Sequence, residues 1–125
     1  MYYPDLTPYR FFASEIDPKV LNIGWLDAKY SFPQETPSKD LLEALFEKCL
    51  QTVNQTRGMH VCQFCPTVLF GVEVSRHAIT TILGSAEIRV EGEDGVVYAV
   101  PNLIYHYVAI HNYRPPDEFT NALLK

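Results

Sequence analysis

Glu87-Ile88-Arg89-Val90-Glu91-Gly92-Glu93-Asp94-Gly95-Val96-Val97-Tyr98-Ala99-Val100 is the stretch on which the fold turns. Ile88 and Val90 alternate with charged residues, residues 96–100 are apolar and rich in strand formers, and the four residues between carry two glycines and an aspartate. Strand-like runs on either side of such a turn predict a β-hairpin. Helical spacing elsewhere in the chain makes the expected class α+β: a small antiparallel sheet with this hairpin at its centre, two to three helices and a clasped knuckle.

Outward toward the C-terminus, Pro101 is read as opening a helix that runs to about Asn112. Pro115-Pro116 breaks it, and Asp117-Glu118 begins a last short helix bearing Phe119, Ala122, Leu123 and Leu124. Toward the N-terminus, residues 67–74 read as a strand, whereas 75–83 fit a short helix or a strand equally well. His60 to Pro66 reads as a strand running into a knuckle, because a proline cannot continue a central strand. Leu41, Leu42, Leu45, Phe46, Cys49, Leu50 and Val53 recur at helical spacing, with Thr36 as the expected N-cap and Pro37 at the first helical position. Cys49 falls inside that stripe and reads as a small buried hydrophobe. Val20 to Leu26 reads as a strand ended by Asp27. Residues 1–18 hold Pro4, Pro8 and Pro18 among several aromatic residues, which predicts an extended arm packing on a single domain of 1–125.

Composition narrows the function classes. The chain has 125 residues, 47% of them hydrophobic, and a formal charge of −5, so it can bury one core and repels phosphate backbones. Its lysines and arginines form no run, which argues against nucleic-acid partners. No apolar stretch reaches the roughly 20 residues of a membrane span, and the N-terminus lacks signal-peptide regions. A cytoplasmic protein without a membrane partner is expected. Three cysteines, an odd number, point away from a disulfide framework.

Cys62-Gln63-Phe64-Cys65 and the pair His106 and His111 carry the chemistry. Two thiols at C-x₂-C and two imidazoles at H-x₄-H are the ligand set tetrahedral Zn²⁺ prefers. Positions five apart diverge by about 140° on an ideal helix, so both rings reach one ion only if the last turn tightens or widens. The insertion of about forty residues between the pairs is too long for a DNA-reading finger. His60 could replace one histidine or orient a ligand. The competing reading leaves His111 and His106 as hydrogen-bonded core histidines and the cysteines as buried thiols. His77 reads as a surface residue.

Other chemistries lack their residues. A zinc deaminase needs H-x-E and a proline before its C-x₂-C; neither is present. A thioredoxin-like site needs a helix after the cysteines, where this chain has β-branched residues. No P-loop, dinucleotide fingerprint or nucleophile elbow occurs.

Several segments are familiar together: Tyr3-Pro4-Asp5-Leu6-Thr7-Pro8-Tyr9, Asn22-Ile23-Gly24-Trp25-Leu26-Asp27, Gly84-Ser85-Ala86-Glu87-Ile88-Arg89-Val90, the G-x-H-x-C-x-x-C-P of Gly58 to Pro66, and the H-Y-x-x-x-H-x-Y-x-P-P of His106 to Pro116. The chain resembles a family of small bacterial proteins grouped only as a domain of unknown function, with residues 67–83 outside the pattern. That resemblance implies a stand-alone bacterial protein and carries no reaction with it. The expected function is a zinc-binding domain with a structural metal, an immunity-like or adaptor module for a protein partner of basic character, with Trp25, Tyr2, Tyr3 and Tyr9 as interface candidates set against packing roles. The alternative is a metal-dependent enzyme using an open zinc site.

Overall fold

The computed structural model describes residues 2–9, 17–52, 62–65 and 71–125. In chain order these form strands β1 (Pro8–Tyr9) and β2 (Asp17–Asn22), helix α1 (Lys39–Cys49), strands β3 (Val72–Arg76), β4 (Ile79–Leu83), β5 (Glu87–Glu91) and β6 (Val97–Pro101), and helices α2 (Ile104–His111) and α3 (Asp117–Leu124). The fold is α+β. One sheet has the order β1-β2-β6-β5, and β3 and β4 pair with each other.

The expected hairpin forms one side of the larger sheet, with β6 inside it and β5 at its edge. Across β5 and β6, Ile88 pairs with Val100 and Val90 with Tyr98, while Arg89 pairs with Ala99. Strand periodicity puts the first four on one face, and all four lie in the core with Leu45, Val108 and Phe119. The turn closes through Gly92 N–H to Val96 O at 2.7 Å. A side chain at Gly92 would place its Cβ 2.8 Å from the Tyr98 ring, so only glycine lets that ring pack where it does.

The sheet is mixed rather than wholly antiparallel, because β2 runs parallel to β6. A parallel neighbour requires a long crossover; here α1, the β3–β4 pair and β5 lie between the two strands. β2 also begins and ends earlier than residues 20–26. Gly24 takes φ +77°, and a Cβ there would press to 3.2 Å from Ile104, so the chain leaves extended geometry while Ile23 N–H still reaches Ala99 O.

Helix α1 is capped by Ser38, whose hydroxyl accepts from Leu41 N–H, not by Thr36. Thr36 precedes a proline and is held in extended geometry, so the cap falls on the first hydroxyl beyond Pro37. The helix ends at Cys49, and Val53 lies outside the described residues. Residues 75–83 resolve as the β3–β4 hairpin, its turn made by His77 and Ala78 at φ 52° and 64°, the paired positive angles of a tight two-residue hairpin. The strand expected over 67–74 is described only from Val72 onward. Pro101 closes β6 instead of opening a helix, and α2 starts at Ile104.

The described first part of the N-terminal arm, residues 2–9, lies along the sheet edge through β1. Tyr3 forms a bridge with Trp25, and Leu6 N–H and Thr7 O bond Asn22 O and Asn22 N–H. Asp5 ties it inward: one carboxylate oxygen accepts Gly24 N–H, the other the Tyr113 hydroxyl at 2.7 Å.

Candidate metal centre

Four side chains from two distant segments converge. Cys62 and Cys65 lie at the two ends of a short turn, and His106 and His111 project from α2. Cys62 Sγ is 3.3 Å from His111 Nε2, and Cys65 Sγ is 3.2 Å from His106 Nε2 and 3.5 Å from His111 Nε2. All four ligand atoms lie within 4.8 Å of one another. Cys62 and His106 are buried, while Cys65 and His111 are partly covered. The constellation could hold a metal ion.

The H-x₄-H divergence is absorbed at the helix end. Asn112 N–H bonds Tyr107 O, five residues back, where a regular α-turn reaches back four. Asn112 is itself left-handed, at φ 57°. A wider turn advances less per residue, so His111 comes round toward His106, and their ring centroids are 5.0 Å apart.

Aromatic rings wall the site. Phe64, between the two cysteines, packs against Tyr107 and His111 and meets Phe32 edge-on at 5.1 Å. Gln63 Oε1 accepts Ala28 N–H at 2.9 Å, so the turn is fastened to the loop after Trp25. This wall was not read from the sequence; its only local signal is an aromatic residue inside the C-x₂-C spacer.

Electrostatics favour neutral imidazoles. Burial, then the neighbouring His111, lowers the His106 pKa, and burial lowers that of His111. Both rings therefore keep a lone pair for a cation. Burial also raises the Cys62 thiol, a tendency that a coordinated cation reverses by stabilising the thiolate.

A family model for a domain of unknown function, DUF7919, matches residues 1–124. The chain belongs to this family. No curated protein and no solved structure matches it. Membership in a family of unknown function, as expected, thus holds over nearly the whole chain.

The remaining candidates are scattered. His60 lies outside the described residues. Trp25 is 4% exposed, and its indole N–H donates to Ala99 O at 3.1 Å. Tyr3 stands edge-on to Trp25, Tyr2 stacks on Tyr30, and the Tyr9 hydroxyl donates to the Glu87 carboxylate with Arg89 over its ring. His77 is exposed and pairs with Glu43, which also takes two bonds from Arg76. Among the described residues, no helix is long and apolar enough to cross a membrane.

Proposed function

We propose that Cys62, Cys65, His106 and His111 bind one zinc ion and that this ion is structural, joining the 62–65 turn to α2. The three sulfur–nitrogen distances of 3.2, 3.3 and 3.5 Å carry the reading. Ligands about 2.3 Å (thiolate) and 2.0–2.1 Å (imidazole) from one tetrahedral ion stand about 3.5 Å apart, and these three sulfur–nitrogen pairs stand close to that spacing. The donor set, two thiolates and two imidazoles, suits zinc and excludes magnesium or calcium, which take oxygen.

Four protein ligands leave no position for water or substrate, whereas a catalytic zinc keeps one open. A four-ligand site speaks against catalysis at the metal itself, and our reading of the chain is an adaptor- or immunity-like binding module. Its formal charge of −5 suits a protein partner of basic character.

Native mass spectrometry of protein purified without added metal tests the site. One zinc per chain is expected, lost in Cys62→Ser and in His106→Ala. Cobalt substitution should give the thiolate charge-transfer absorption of a tetrahedral site. Metal-free protein, or chelation that leaves the melting temperature unchanged, sinks the structural reading.

A further inference from the structure

A second site lies away from the zinc ligands, at the end of β6 opposite the one that leads into α2. The turn after β5 and the outer face of α3 enclose a cleft of about 480 Å³. Glu91, Glu93, Asp94 and Glu118 bring four carboxylates to its lining beside the ammonium of Lys125, and the Lys19 ammonium sits on the Asp94 carbonyl at 3.0 Å at its margin. Exposed acids are common on surfaces and would carry nothing alone.

Tyr98 sets this cleft apart. It is 4% exposed, its ring packed edge-on against Phe119, yet it lines the cleft, and its hydroxyl has no hydrogen-bond partner among the described residues. The ring is buried, while the hydroxyl is the part that opens on the cleft. Here the ring is held by the core and by Gly92, where any Cβ would strike it, so the hydroxyl is presented by a rigid base. The charges of Glu118 and Glu93 reach it and, after burial, raise its pKa. The floor beside it is apolar, from Val96 and Ala122.

From this geometry we infer that the cleft binds an ammonium group carried on an aliphatic stem. The carboxylates would take the charge as charge-assisted hydrogen-bond acceptors. The stem lies over Val96, Ala122 and the Tyr98 ring, and the phenolic oxygen accepts from the same nitrogen. The Lys125 ammonium already stands 3.7 Å from Glu93, an internal example of the contact. Two sources present this chemistry, a free aliphatic polyamine and a lysine side chain of another protein. The inference does not depend on zinc.

The test is an amide chemical-shift titration of the full chain as purified at low ionic strength, with spermidine in one arm and an N-acetylated, C-amidated lysine peptide in the other. Saturable shifts centred on Gly92, Val96, Tyr98 and Ala122 are expected in at least one arm, and the tighter arm names the source. The double variant E93Q/E118Q should bind at least ~10-fold more weakly, as expected for removing two charge-assisted contacts. Y98F, which keeps the ring and loses the oxygen, should weaken binding by a smaller factor. Unsaturable shifts spread over the acidic surface would overturn the inference. So would equal affinity in the double variant, or the same shifts with magnesium chloride or neutral 1,4-butanediol.

Discussion

Asn112 donates its backbone N–H to the carbonyl of Tyr107, and this one widened turn brings His111 beside His106. Because Asn112 must hold φ 57°, a residue with a Cβ and no local polar help is strained there. Asn112→Ala should cost about 1 kcal/mol and weaken metal binding, whereas Asn112→Gly should leave both near the parent. Thermal melts and competitive zinc titration read the two quantities separately.

The three cysteines should react in two classes. Burial pushes the Cys49 thiol up to about 12, and its hydrogen lies against Asn102 O. Iodoacetamide should spare all three in the metal-loaded protein, reach Cys62 and Cys65 after chelation, and reach Cys49 only in denaturant. Peptide mapping of the labelled chain distinguishes them, and early labelling of Cys49 would contradict its placement.

Glu43 should confer an acid-dependent contribution to stability. Hydrogen bonds from His77 and then Arg76 hold its carboxyl below the ordinary 4.5. A lowered folded-state pKa means the contribution is full above 4.5 and fades as pH falls through the folded value. Glu43→Gln should therefore lower the melting temperature at pH 6 and above, and the gap to the parent should close under acid. A gap independent of pH would show that the pair contributes nothing electrostatic.

Tyr113→Phe removes the hydroxyl that Asp5 accepts at 2.7 Å and leaves the carboxylate with Gly24 N–H. Tyr113 is 1% exposed, so water replaces that bond poorly. A loss of about 2 kcal/mol is expected, the scale of a hydrogen bond to a charged group, read as a lower denaturant midpoint with an unchanged slope.

At the start of α1, Ser38→Ala should cost about 1 kcal/mol, the usual value of an N-cap hydroxyl. Thr36→Ala should change almost nothing. The reverse order in urea melts would restore Thr36 as the cap.

What could be read from the sequence was what local rules govern. The β5–β6 hairpin follows from alternation around a glycine-containing turn, and the four candidate ligands follow from residue type and spacing. The start of α1 was missed by two residues, since Thr36 and Ser38 both offer hydroxyls and the conformation before Pro37 chooses between them. Residues 75–83 were ambiguous because His77 and Ala78 adopt positive φ without the glycine or asparagine that usually announces it. The parallel pairing of β2 with β6 has no local signature, being set by where the crossover returns the chain. The Asp5–Tyr113 bond, 108 residues apart, is invisible for the same reason.

The position of the ligands along the chain has a kinetic side. Cys65 and His106 are 41 residues apart, and the segment between them contains β3, β4, β5 and β6. Both hairpins can form early from near neighbours, whereas β2 must wait for a partner more than seventy positions away. A tie across the 41-residue gap encloses both hairpins in one loop and removes freedom from the unfolded chain, as a covalent cross-link would. With a metal as that tie, its supply during synthesis would govern how quickly the second half of the chain becomes a surface on which β2 can settle.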